Sequence, residues 1–342
     1  MEKTTEITDL LNNLTSQDAI SGFEFDFSAY LAEFLRPYCT DVSIDAFGNV
    51  IAKKTQNRKK KVLLEAHIDQ IGLMVSHIEE NGVIRFVPIG GINPAFLPAT
   101  EVTIHGKQDF FGIIGTIPPH LQSADKENEV INLKDLYIDI GMDYDSVMKN
   151  ISVGDVVSYK AYSYKSNSKF TAKSLDNRAG IAVLLQTAME LKNCDLPYDV
   201  TILLSVQEEV GLRGAPIATF NEEPDIALVV DVTYGSAFGT KDDETFALGS
   251  GAAIAIGPNA EPELYSKIKN AAEQLSLPHT TEVLPSHSGT NAWAIQTVSG
   301  GVPCAILSVP LRYMHTPYEM VDTKDIETMV RLITSILKEG NL

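Results

Sequence analysis

A histidine and a carboxylate stand two residues apart at the end of an apolar run, in Val62-Leu63-Leu64-Glu65-Ala66-His67-Ile68-Asp69-Gln70-Ile71-Gly72. In an extended strand, residues i and i+2 point to the same face, so His67 and Asp69 are expected side by side where a buried strand meets solvent. A neutral imidazole and a carboxylate are ligand types that borderline divalent metals prefer. On its own a His-x-Asp pair is usually structural, and the rest of the chain gives this one its interest. Asp176 sits just before an apolar helix in Ser174-Leu175-Asp176-Asn177-Arg178-Ala179-Gly180. Glu208 and Glu209 follow the run Thr201–Val206, Asp231 ends the run Ala227–Val230, and His315 follows Cys304–Val309. Each has an ordinary alternative: Asp176 as a helix N-cap, Glu208-Glu209 as a solvated pair, Asp231 as a turn cap, His315 as a packed histidine.

Hydrolysis at a pair of metal ions would need a set of this kind. Two cations about 3.5–4 Å apart can clamp and polarise a hydrolytic centre. They require one bridging carboxylate and roughly two further ligands each. Bound water then becomes a nucleophile near neutral pH. A carboxylate left free of metal must accept its proton and pass it to the leaving amine. Adjacent Glu208 and Glu209 could divide these tasks, one as base and one as ligand. Without cations, so many acids in one place would repel strongly.

The elements that must position these residues can be read from periodicity. Residues 3–20 and 24–38 look helical, the second with Phe27, Tyr30, Leu31, Phe34 and Leu35 at helical spacing. Val42–Ile44 and Asn49–Lys53 read as strands around a turn, and Val62–Ala66 as a buried strand. From Gly72 to about Lys160 the texture changes to short alternating segments punctuated by Gly, Pro and Asn, as in a small β-barrel or sandwich. After Phe170, strands at Val200–Val206, Ile226–Val232 and Cys304–Val309 alternate with helices at Ala179–Leu191, Pro262–Gln274 and Thr323–Lys338. The expected architecture is α/β, an α/β/α sandwich interrupted by a small barrel-like domain. Residues 1–72 and 165–342 would form the catalytic unit, and residues 73–164 the inserted β-rich one. Active sites of open α/β sheets gather at the carboxyl ends of the strands, where these candidates fall.

Composition narrows the function classes. The chain has 342 residues, 44% hydrophobic and 21% charged, which suits a soluble globular enzyme or binding protein. A formal net charge of −18 argues against nucleic-acid binding and against an anionic membrane. The basic run Arg58-Lys59-Lys60-Lys61 reads as a solvated turn. Cys39, Cys194 and Cys304 have no metal or redox spacing and read as reduced thiols. The segment Met1–Glu6 has no apolar signal core, and no apolar stretch is long enough to span a bilayer, so a cytoplasmic location is expected. Among the other histidines, His77, His105, His279 and His287 read as surface or structural. His120, in Pro118-Pro119-His120-Leu121, is kept as a further candidate because its prolines hold it in a defined place, within a region whose residues 123–130 read as a polar loop.

Taken together, these segments resemble the glutamyl aminopeptidase and tetrahedral aminopeptidase family of dinuclear metallopeptidases. The resemblance rests on Ala66–Gly72, Leu175–Gly180, Val206–Ala215, Val230-Asp231-Val232, Ser288-Gly289-Thr290 and Pro310–Pro317, with Gly115–Leu121 and Asp135–Gly141 similar to the family's inserted domain. It covers nearly the whole chain in one order. It implies that Asp176 bridges two metals, that His67 and Asp231 complete one site, and that Glu209 and His315 complete the other. Glu208 would be the general base, and Asp69 would orient His67 rather than bind metal. It further implies a cis peptide at Asp176-Asn177, zinc or cobalt as the metal, peptide substrates, and a homo-oligomer from dimer to dodecamer built through the inserted domain. Two positions depart from the family: Gln70, often Glu, and Asn291, often Asp; neither is an implied ligand. The competing readings are a metal-dependent deacylase, a carboxypeptidase, a glycoside hydrolase, since some relatives have carried an endoglucanase label, or a non-catalytic metal-binding assembly protein. Glycosidases need two carboxylates and usually no metal, and a structural site needs no free base such as Glu208.

Overall fold

The computed structural model describes residues 6–117, 131–241 and 244–342. His120 and the loop expected at 123–130 lie outside them. Helices α1 (Ile7–Thr15) and α2 (Phe25–Leu35) lead into strands β1 (Asp41–Ile44), β2 (Val50–Lys54) and β3 (Lys61–His67). A β-rich stretch follows: β4 (Gly72–Ile78), β5 (Ile84–Ile89), β6 (Glu101–His105), β7 (Asp109–Thr116), β8 (Leu136–Asp139), α3 (Tyr144–Asn150) and β9 (Val156–Tyr159). The chain then returns through β10 (Ser163–Ser166), β11 (Lys169–Ala172), α4 (Leu175–Leu191), β12 (Asp199–Ser205), α5 (Gly214–Glu222) and β13 (Ile226–Tyr234). It closes with β14 (Ala252–Ile256), α6 (Pro262–Gln274), β15 (His279–Val283), α7 (Ala292–Ile295), β16 (Cys304–Arg312), β17 (Glu319–Asp322) and α8 (Thr323–Glu339).

The main sheet runs in the order β1-β2-β12-β3-β13-β16-β17-β11-β10, with β14 and β15 paired off β16. Its centre, β12-β3-β13-β16, is parallel. Parallel strands are covered on both faces, which is why they read as unbroken apolar runs. On β3, Val62, Leu64 and Ala66 pack into the larger core with α1, α2, α4, α6 and α8, while Leu63 packs into a smaller core with α5 and α7. By the same alternation Glu65 and His67 point to the α5/α7 side. Helix α8 shows how sequence sets such an element. The Asp322 carboxylate caps it by accepting from Lys324 N–H at 3.0 Å, Ile326, Met329, Val330, Ile333 and Leu337 bury one stripe, and Gly340 ends it at φ 76°.

Strands β4-β5-β8-β7-β6-β9 close into a barrel, all of it between Gly72 and Tyr159. On β7, Phe110 and Ile114 turn inward to join Leu73, Ile84, Ile104 and Val157, while Phe111 and Ile113 face out. The α/β architecture with an inserted barrel is therefore as the sequence implies. Several boundaries differ. The helix expected at 3–20 stops at Thr15, and Ile20 instead bridges to Gln70 beside β3. Asp231 does not end its strand: β13 continues to Tyr234 because Val232, Thr233 and Tyr234 stay paired with Val309, Pro310 and Leu311. Helix α4 begins at Leu175, not Ala179, but Asp176 and Asn177 keep non-helical backbone angles. The basic run at 58–61 is tied down more than a solvated turn would be, with Arg58 Nε donating to Leu196 O at 2.8 Å and Lys60 Nζ to Leu342 O at 2.9 Å. The three cysteines are free thiols. Among the described residues, no helix is long and apolar enough to cross a membrane.

Candidate active site

The four central parallel strands finish at one edge of the sheet, and the candidates gather there. His67 is the last residue of β3, directly opposite Ser205, the last residue of β12. Glu208 and Glu209 follow in the turn beyond, and His315 lies three residues past the end of β16. Asp176 is delivered from the side by the irregular first turn of α4, where the Asp176-Asn177 peptide is cis, as the resemblance implies. His67 Nε2 lies 3.1 Å from Asp176 Oδ1 and 3.8 Å from Asp231 Oδ1. His315 Nε2 lies 3.3 Å from Asp176 Oδ2 and 3.4 Å from Glu209 Oε1. Asp176 thus turns one oxygen to each histidine. His67, Asp176, Glu208, Glu209, Asp231 and His315 together line one cleft of about 430 Å³.

Asp69 lies behind that cleft. Strand β3 has already ended at His67, so Asp69 does not share its face as two ligands on a strand would. Its Oδ1 accepts from the Glu208 N–H at 2.9 Å, and its Oδ2 from the Glu209 N–H at 3.1 Å and the Ser21 hydroxyl at 2.6 Å. His67 Nδ1 sits 3.2 Å from the Asp69 carbonyl oxygen and 3.4 Å from its carboxylate. A histidine whose Nδ1 is engaged in this way presents Nε2 as the free donor atom. Asp69 therefore contacts the His67 ring and anchors the backbone that carries both glutamates.

Two contributors carry little signal in the sequence. Glu319, fully buried, accepts from Asp176 N–H at 3.0 Å and from His315 N–H at 2.7 Å, fastening two distant segments to one carboxylate. Its only sequence signal is a glutamate four residues after His315. Gly91, in the turn after barrel strand β5, offers its carbonyl to His315 Nδ1 at 2.8 Å. The Gly90-Gly91 pair read only as punctuation. Gln70 and Asn291 do not line the cleft. Gln70 Oε1 accepts from Arg178 at 3.2 Å and Lys173 at 3.3 Å, and Asn291 Nδ2 donates to Glu65 at 2.7 Å and Ser205 at 3.0 Å.

The electrostatics are those of crowded acids. Burial pushes the Glu208 carboxyl up to about 9, opposed by the His67 charge and reinforced by Asp231, Glu209 and Asp176. Burial also raises Asp231 and Glu209. For Asp176 burial works upward too, but hydrogen bonds from His315 and His67 hold it below its usual value. Burial would lower His315, yet its bonds to Asp176 and Glu209 keep its proton on up to about 11. Without cations such a cluster would have to hold protons, whereas each metal ion would counter several carboxylates at once. The donors suit such ions. His67, Asp176 and Asp231 form one trio, and Asp176, Glu209 and His315 another; within each, candidate ligand atoms lie within 4.8 Å of one another. A third trio joins His67 to Glu208 and Glu209. Imidazole mixed with carboxylate suits borderline divalent metals.

A family model described as M42 glutamyl aminopeptidase matches residues 48–332. The lysyl aminopeptidase of Pyrococcus furiosus is 31% identical over 337 residues, covering 97% of this chain and 96% of that protein. The solved structure of an aminopeptidase from the archaeon Desulfurococcus kamchatkensis has a TM-score of 0.90 at 32% identity, over 97% of this chain and 94% of that one. The TET1 peptidase of Pyrococcus horikoshii, which can assemble into a tetrahedron or a large octahedral shell, has a TM-score of 0.86 at 28% identity, over 98% and 100% of the two chains.

Proposed function

The chain belongs to the M42 glutamyl aminopeptidase family, and from that premise we propose that it removes N-terminal residues from peptides with the help of two divalent cations. The observation that carries this reading is the pair of trios sharing Asp176, which uses five side chains and leaves Glu208 over. In it, Asp176 contributes to both sites, His67 and Asp231 complete one, and Glu209 and His315 complete the other. When bound, two zinc or cobalt ions would activate a water and polarise the scissile carbonyl.

Glu208 then accepts the proton of the attacking water on its carboxylate and delivers it to the leaving amine. Burial among other acids raises its proton affinity in the cation-free site, and bound cations would lower it again, leaving a carboxylate able to take a proton and return it. Asp69 keeps Glu208 in reach by holding its backbone N–H, and keeps His67 turned with Nε2 toward the cleft.

Residues 1–72 and 165–342 are proposed as the catalytic unit and residues 73–164 as the unit through which copies associate, from dimer to dodecamer. The assembly of the Pyrococcus horikoshii relative and the outward-facing Phe111 and Ile113 of β7 support this. Sedimentation as a single species of chain mass would refute it.

Glu208→Gln tests the mechanism. The variant is expected to retain two metal ions per chain by elemental analysis while turnover of aminoacyl chromogenic substrates falls by about 10²–10⁴-fold. Retained turnover would remove Glu208 from the role of base. Glucan hydrolysis without peptide hydrolysis would favour the glycosidase reading instead.

A further inference from the structure

The cleft extends past the proposed metal ligands, between β13, β15 and the loop that carries Phe246. Its walls there are apolar and formed by Tyr234, Phe246, Val283 and Leu284. Two further acids, Glu244 and Glu282, line this end, and no lysine or arginine is among the described lining residues. The two acids differ in their surroundings. Glu244 is well exposed and paired with Lys241 at 2.7 Å. Glu282, on β15, is only 9% exposed. Its Oε1 accepts from the Thr233 hydroxyl at 2.5 Å, while its Oε2 has no hydrogen-bond partner of good geometry among the described residues, although the Ser308 hydroxyl is a neighbour. A buried carboxylate with one oxygen unpaired is costly, and a donor brought into the cleft would relieve that cost.

We infer that this end of the cleft receives the side chain of the substrate's N-terminal residue, and that Glu282 selects a basic one, lysine or arginine. The inference rests on the aminopeptidase reading and specifies its substrate class. The aliphatic stem of lysine or arginine lies along the apolar walls while its cationic head reaches the acid. A leucine side chain fills the same walls but leaves Glu282 unpaired. A glutamate side chain would meet the Glu282 carboxylate, which no lysine or arginine among the described lining residues offsets. Burial pushes the Glu282 carboxyl up, against the Thr233 and Ser308 hydroxyls, so a cationic head alongside it is also what favours its ionised form. The net charge of −18 would draw cationic peptides toward the chain.

The test uses the metal-loaded wild-type protein with lysyl, arginyl, leucyl and glutamyl para-nitroanilides. The expected order of kcat/KM is lysyl and arginyl above leucyl, with glutamyl lowest. In Glu282→Gln, the lysyl-to-leucyl ratio of kcat/KM is expected to fall by about tenfold to a hundredfold, the worth of a charge-assisted contact. Glu282→Asp should keep part of the preference. A wild-type preference for leucyl or glutamyl substrate, or a ratio unmoved in Glu282→Gln, would overturn the inference while leaving the aminopeptidase reading standing. Cleavage of none of the four substrates would count against the aminopeptidase reading itself. Should Glu282→Gln fail to fold, inhibition of leucyl cleavage in the wild type decides: lysinamide must inhibit more strongly than leucinamide, and equal inhibition overturns the inference.

Discussion

Two buried carboxylates hold the candidate site in place without facing the cleft. Asp69 accepts from the backbone of Glu208 and Glu209, and Glu319 from the backbone of Asp176 and His315. Replacing Glu319 by glutamine leaves one acceptor oxygen and turns an N–H₂ toward the second backbone N–H. Glu319→Gln is therefore expected to cost about 1–3 kcal/mol in urea denaturation and to lower turnover, because Asp176 and His315 lose their common anchor. Unchanged stability and turnover would show that the bridge carries no weight. The clustered histidines and acids of the cleft are legible in the sequence because their chemistry restricts the choice and they stand at the ends of apolar runs; Glu282, further along the same cleft, sits in a polar strand and is not. Glu319 was not, because a carboxylate that binds backbone N–H groups has no periodicity and no partner residue type to betray it. The second duty of Asp69 was hidden for a related reason, since it acts on a loop 139 residues further along the chain.

At the scale of elements, visibility followed burial. Strands β3, β12, β13 and β16 are covered on both sides and were read almost to their ends. Strands β10, β15 and β17 were not read: β10 is exposed throughout, β15 is mostly polar, and β17 has only four residues. Strand β14, Ala252–Ile256, is buried but is a short, wholly apolar run of alanine and isoleucine, which periodicity alone cannot assign to strand or helix. The turn after β5 matters most for function, because it brings the barrel to the site. A Cβ added at Gly91 would lie 3.1 Å from His315 Nδ1, tighter than ordinary contact, and would press on a ring whose Nδ1 already bonds Gly91 O. Gly91→Ala is expected to lower turnover or metal affinity by roughly tenfold to a hundredfold, as loss of a ligand's supporting contact does elsewhere. The melting temperature should change little, because Gly91 itself belongs to none of the three apolar cores. An unaltered turnover would mean that the barrel loop does not set the position of His315.

At the scale of the whole molecule, the change from helical texture to short alternating segments marked the barrel, and the return of strand-helix alternation marked the resumed sheet. Closure of the barrel and the reach of its loop to His315 were not legible, because both depend on pairings between segments far apart in sequence. The cleft itself is assembled from segments spanning His67 to His315, with the barrel inserted between the first histidine and Asp176. The acids at the carboxyl edge of one sheet repel one another unless cations or protons intervene, and in the proposed function cations fill that role. The most direct measurement is turnover of an aminoacyl para-nitroanilide by chelator-stripped protein as zinc or cobalt is titrated back. Turnover is expected to vanish on stripping and to recover to a plateau at two ions per chain. Turnover that survives stripping, or a plateau reached at one ion per chain, would contradict a site built on two cations sharing Asp176.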